Sequence, residues 1–314
     1  MSHLPIAHQN IPKQGLIGVG LRHAHFHDAL NETSLIDFVE VHAENFFARG
    51  SLANELLNQV MQKYPVSLHS TSMGLGSAAG INTRYLQKLM TLTNDINPVL
   101  ISDHACFTWS QWNNHNVHAG DLLPLEFSEA GLRVLAENTD RVQQQLGRPV
   151  LIENLSSYLE AGPSEMSETE FLSELVNRTQ CGLLVDLNNI LVNARNRHME
   201  DPVCFARQWI NDIPAQSVGE FHLAGYTPAG QGEMIIDDHS QPVSEECWSL
   251  FEYALSVCGP VPSLIEWDNN LPDWQTLVHQ AENARKIMHR IALSDSVSTA
   301  EVFHQQEETT SDAA

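Results

Sequence analysis

Eight short apolar runs, separated for the most part by stretches of helical length, set the narrowest limits on what this chain can fold into. They are LIGVGL (16–21), DFVEVHAENF (37–46), PVSLHST (65–71), PVLISDHACF (98–107), VLIENLS (150–156), GLLVDLNN (182–189), EFHLAGY (220–226) and SLIEWDNN (263–270). Runs of this kind suit strands buried on both faces, and their alternation with helices suits a parallel sheet. Helical spacing is clearest in SLANELLNQVMQKY, TRYLQKLMTLTND, SEAGLRVLAENTDRVQQQL, TEFLSELVNRT and WQTLVHQAENARKIMHRI. Ser128 and Thr169 are expected to open two of these helices. Eight βα units in 314 residues fit an α/β fold of the (β/α)8 TIM-barrel type. A doubly wound open sheet would want a glycine-rich phosphate turn after an early strand, and the chain has no GxGxxG or Walker pattern. One barrel domain is expected over 1–293, followed by an acidic, disordered tail over 294–314. Residues 107–127 and 227–243 exceed ordinary connections and are expected to be loops over the catalytic face.

Charge narrows the choice of partners. Against 39 Asp and Glu stand only 16 Lys and Arg, a formal charge of −23 spread along the chain. Binding to a nucleic-acid backbone needs the reverse, so no nucleic-acid partner is expected. No stretch has the length of a signal-peptide core or a membrane span, which points to a cytoplasmic protein without a membrane partner. The five cysteines lack CxxC spacing and read as reduced thiols.

Polar residues recur at one height along the later strands. His69 ends the third, His104 the fourth beside Asp103, and Glu153, Asp186, His222 and Glu266 follow on strands five to eight. In a parallel barrel these ends converge on one mouth. Several carboxylates in a dry mouth need cations between them, and the strand ends supply almost no Lys or Arg. Imidazole and carboxylate are ordinary ligands of divalent metals, so a metal site is the expected solution. Asn189, Asp237 and His239 add further donors, and the count favours two or three ions, with Glu153 suited to bridging. Asp103 would point away from the mouth and is expected to orient a ligand.

The ordered set His69, His104, Glu153, Asp186, Asn189, His222, Asp237, His239, Glu266 resembles the xylose-isomerase-like barrels. GVGLRHAH, DFVEVHAENFF, SLHSTSMGLG, ISDHACF, DLLPLEFS, LIENLSSY, LLVDLNNILVNA, EFHLAGY and LIEWDNN resemble more closely the multinuclear non-heme iron oxidative enzymes of the MbnB and TglH kind. The likeness covers about residues 15–290. It implies two or three irons of mixed ferrous and ferric state, dioxygen as co-substrate, and oxidation of cysteines in a ribosomally made precursor peptide. A second protein that presents the peptide is also implied. Carried over, His69, His104 and Glu153 would hold one iron, and Glu153 would bridge to a second with Asp186, His222 and Glu266. Asn189, Asp237 and His239 would form a third position. Arg22 and His25 match the family pattern as substrate contacts, and Glu44 as a residue that supports the ligands.

Two other readings fit the same ring. An endonuclease IV-like metal phosphodiesterase has a similar ligand order, but carries His where this chain has Asn189 in the strand-six pair. A non-enzymatic metal-binding or sensor protein would need the donors alone.

Overall fold

The structure, a computed structural model, describes residues 15–293 except 114, 160, 229 and 231, and the backbone of the last helix as far as Ser311. Its centre is a closed barrel of eight parallel strands. The first four are β1 (Ile17–Gly20), β2 (Phe38–His42), β3 (Val66–His69) and β4 (Ile101–His104). An antiparallel hairpin outside the barrel follows, β5 (Cys106–Trp112) with β6 (His115–Pro124). The barrel then resumes with β7 (Leu151–Glu153), β8 (Gly182–Asp186), β9 (Val218–Leu223) and β10 (Ser263–Ile265). Its strands are neighbours in chain order, and β1 closes the ring on β10. The parallel (β/α)8 expectation therefore holds.

The strands are shorter than the apolar runs that announce them. DFVEVHAENF ends its strand at His42 and continues as a 3-10 turn, Ala43–Phe46. LLVDLNN ends at Asp186, and α6 (Leu187–Asn196) begins at once. The segment 107–127 is not an open loop but largely the β5–β6 hairpin. The segment 227–243 contains no helix or strand among its described residues.

Around the barrel lie α1 (Phe26–Asn31), α2 (Leu52–Val60), α3 (Thr83–Ile96), α4 (Glu129–Leu146), α5 (Glu168–Thr179), α7 (Pro202–Asp212), α8 (Glu245–Cys258) and α9 (Trp274–Ser311), together with α6. Ser128 caps α4 as expected, accepting from the Gly131 amide. The cap of α5 is Ser167 rather than Thr169: its hydroxyl accepts from the Glu170 amide while Glu170 reaches back to the Ser167 amide. That reciprocal pair satisfies two amides where Thr169 could satisfy one. The side chains of the tail from residue 294 lie outside the described residues.

The main apolar core fills the space between barrel and helices, while Leu100, Leu151 and Leu184 form a small separate core. Strand β1 carries Gly18 and Gly20 where side chains would collide with neighbours. A Cβ on Gly18 would lie 2.6 Å from the Phe38 ring, and one on Gly20 would lie 3.1 Å from the Arg22 guanidinium. The two glycines thereby give Phe38 and Arg22 their places.

Candidate metal centre

Parallel register carries the polar strand ends to one level. His104 pairs with Glu153 across β4 and β7, Asp186 with His222 across β8 and β9, and His42 with His69 across β2 and β3. All but His42 of these six residues are buried, as is Glu266 just beyond β10.

Glu153 lies between two groups. Its Oε2 is 3.4 Å from His69 Nε2 and 3.3 Å from His104 Nε2. Its Oε1 is 3.7 Å from His222 Nδ1. One donor atom each from His69, His104 and Glu153 falls within 4.8 Å of the others, and the same is true of Glu153, Asp186, His222 and Glu266. Glu153 belongs to both sets. His69 is oriented by the Ser102 hydroxyl on Nδ1 at 2.8 Å, which leaves Nε2 for Glu153. Asp103 accepts from the His104 amide and stands 3.8 Å from His104 Nδ1.

Asp237 and His239 come in from the 227–243 segment. His239 Nε2 is 2.8 Å from Asp237 Oδ1 and 3.8 Å from Asp186 Oδ2, while its Nδ1 is 3.3 Å from Glu266 Oε2. Asn189 sits in the first turn of α6, where its amide NH2 donates to the Asn154 carbonyl and its Oδ1 has no partner. Asn188, which sequence reasoning passed over, donates to Asp237 Oδ1 at 2.7 Å. A cavity of about 320 Å³ joins these residues; His69, His104, Glu153, Asn189, Asp237 and His239 all line it. Asp121 and Leu122 of the hairpin and Ile236 of the 227–243 segment form part of its wall, so both long insertions reach the mouth.

The outlying candidates divide. The Arg22 guanidinium is engaged by Asp268 at 2.7 Å and lies 3.5 Å from Glu266. His25 donates to the Pro272 carbonyl, packs 5.9 Å from the Trp274 ring, and is not among the residues lining the cavity. Glu44 accepts from the Thr71 amide and the Tyr85 hydroxyl, holding the turn that follows β3. Asp268, Glu40 and Glu220 were missed. For Glu40 and Glu220 the signal was in the sequence, since each lies two residues before His42 or His222 on its strand and alternation puts such pairs on one face, whereas Asp268 lies beyond the end of β10.

Burial and mutual charge pull the protonation states apart. Burial and neighbouring imidazoles hold His69 well below its ordinary range. At His104 burial acts downward, but Glu153 and Asp103 outweigh it and raise the imidazole to about 9. His222 and His239 rise against burial under the carboxylates around them. Burial pushes Asp186 far up and Glu153 to about 7, whereas against burial His222 and His239 hold Glu266 down to about 2. Glu153 Oε2 and Asp186 Oδ2 have no hydrogen-bond partner among the described residues. Buried acceptors without donors are costly unless a cation joins them, and this donor set fits metal ions.

Cysteine nucleophiles are a poor match. All five thiols are unpaired, and burial with nearby Asp103 pushes Cys106 well above its usual range.

Comparison with known proteins agrees with this geometry. A family model described as RiPP precursor modification enzyme MbnB/TglH/ChrH matches residues 16–289. A UPF0276 protein of Rhizobium meliloti (strain 1021) is 39% identical over 286 residues, covering 90% of this chain and 89% of the relative. Another from Vibrio vulnificus (strain CMCP6) is 42% identical over 277 residues, covering 87% and 91%. Among solved structures, a D-tagatose 3-epimerase-like protein superposes with a TM-score of 0.57 at 12% identity, covering 89% of this chain and 99% of its own. Endonuclease IV from Thermus thermophilus gives 0.52 at 11%, covering 88% and 99%. At such identities these neighbours establish the TIM-barrel fold alone. The family match over nearly the whole barrel, and relatives of this closeness, place the chain in the MbnB/TglH/ChrH family of RiPP precursor modification enzymes.

Proposed function

We propose that the chain is a dioxygen-dependent oxidase with two or three irons that modifies cysteine residues of a ribosomally made precursor peptide, presented by a partner protein. The observation that carries this reading is Glu153, whose two oxygens face two donor sets. His69, His104 and Glu153 would hold one iron, and Glu153, Asp186, His222 and Glu266 a second. Asn189, Asp237 and His239 would serve a third. Iron so held would supply electrons to dioxygen and take a soft thiolate as a ligand.

The chain's own residues set the conditions for that chemistry. Ser102 fixes the His69 ring so that Nε2 faces inward. Asp103 stands behind His104 and favours the tautomer that frees Nε2. The Tyr158 hydroxyl accepts from the Asp237 amide and steadies the segment that carries Asp237 and His239. Leu122, Leu155 and Ile236 give the cavity wall an apolar portion against which a peptide backbone can lie. Arg22, locked to Asp268, steadies the carboxylates at the rim and leaves only Nη1 unbonded.

The test is oxygen uptake by anaerobically iron-loaded protein mixed with the Cys-containing peptide encoded beside it and the partner protein. Oxygen consumption with a fixed mass change localised to a cysteine is the expected result. Iron-replete protein that leaves the peptide mass unchanged in air would end the proposal.

A further inference from the structure

One step of strand alternation below the ring of His69, His104 and Glu153, the barrel carries a second polar layer. Glu40 lies two residues before His42 on β2, and Glu220 two before His222 on β9. Ser67 stands beside Glu40 in register and donates to its Oε2 at 3.1 Å. Leu151 and Leu184 occupy the corresponding positions on β7 and β8, so the layer is apolar along those two strands.

Glu40, Glu220 and His222 are each 0% exposed. One donor atom from each lies within 4.8 Å of the others. Both oxygens of Glu220 have no hydrogen-bond partner among the described residues, and Glu40 Oε1 has only the His222 ring beside it. His222 Nδ1 is 2.9 Å from Glu266 Oε2 on the upper side of the ring. Nε2 faces Glu40 Oε1, 3.5 Å away on the lower side, where a bound cation would take the place of its proton. Carboxylate oxygens converge here, Ser67 is spent on the other Glu40 oxygen, and among the described residues no donor reaches Glu220. Arg22 contributes charge nearby, but its bonds go to Asp268 and Glu266. Two carboxylates and an imidazole nitrogen in a water-excluded layer make a ready coordination set for a first-row divalent cation.

We propose that Glu40, Glu220 and Nε2 of His222 form a further divalent-cation position, one layer beneath the metal centre and separate from its three expected positions. His222 then stands between two layers, its Nδ1 edge on the upper and its Nε2 edge on the lower, and holding a metal on each edge would release both ring protons.

Mn²⁺ is a suitable probe, read by anomalous diffraction and metal analysis of the full chain after stripping and reloading under anaerobic conditions. The expected result is an anomalous peak between Glu40 and Glu220, with Glu220→Gln losing one metal equivalent and keeping the peaks at Glu153. A wild-type map without a peak at Glu220 overturns the proposal. An unchanged metal count in folded Glu220→Gln does so as well. Should Glu220→Gln fail to fold, the wild-type map decides alone. Because the readout is metal position, it stands apart from whether the upper centre oxidises cysteine.

Discussion

Asp186 has two jobs, one for each oxygen. Oδ1 accepts from the Asn189 amide and caps α6, while Oδ2 faces His239 without a hydrogen bond. The residue is thus both a turn-former and a candidate ligand, and two substitutions separate the roles. Asp186→Asn keeps a capping oxygen and removes the charge, so bound metal should fall while the metal-free protein keeps its stability. Asp186→Ala should in addition lose about 1 kcal/mol of helix capping, read by denaturant unfolding. Metal content equal to wild type in Asp186→Asn would remove Asp186 from the ligand set. Protonation gives a second residue-scale expectation. With His104 held at about 9 and Glu153 at about 7, the metal-free site carries protons at neutral pH that a metal must displace. Metal affinity should therefore climb between about pH 6 and 9 and binding should release protons. Calorimetry in buffers of different ionisation enthalpy measures this, and a pH-independent affinity would contradict it.

Single elements show where sequence patterns speak and where they fall silent. The surface helices α2, α3, α4 and α5 announce themselves by amphipathic spacing and stand where expected. Helix α6 also carries apolar residues at helical spacing, Leu187, Ile190, Leu191 and Ala194, yet Leu187 through Ala194 are all buried, asparagines included. Its Asn193 donates to the Leu155 carbonyl and accepts from the Ser157 amide, so polar residues there tie α6 to the turn after β7. The capping box of α5 is a purely local device. Ser167→Ala should cost about 1 kcal/mol in chemical denaturation and leave metal content intact. A change in metal stoichiometry would mean that α5 reaches the site by a route the hydrogen bonds do not reveal. The β5–β6 hairpin escaped notice because its strands alternate weakly and are largely exposed, so no buried face marks them.

At the scale of the molecule, a barrel that gathers this many carboxylates in one mouth is stabilised by whatever neutralises them. A ligand that binds only the folded state adds about 2.7 kcal/mol at a hundredfold excess over its Kd, and domains of this size lose roughly 2–4 °C per kcal/mol. Chelation should thus lower the melting temperature by several degrees, reversibly on adding back ferrous iron under anaerobic conditions. A melting curve indifferent to chelator would argue against any site of consequence. No helix among the described residues is long and apolar enough to cross a membrane. Eight βα units, hence the barrel, and the His, Asp and Glu residues at its strand ends can be read from the chain alone. Those are short-range properties, written in apolar runs and in the two-residue alternation of strands. Closure and register decided the rest. They set His104 beside Glu153, turned His222 toward both Glu266 and Glu40, committed Arg22 to Asp268 across 246 positions of chain, and took His25 to Pro272. Such pairings depend on which strands become neighbours and at what offset, and no local pattern carries that information.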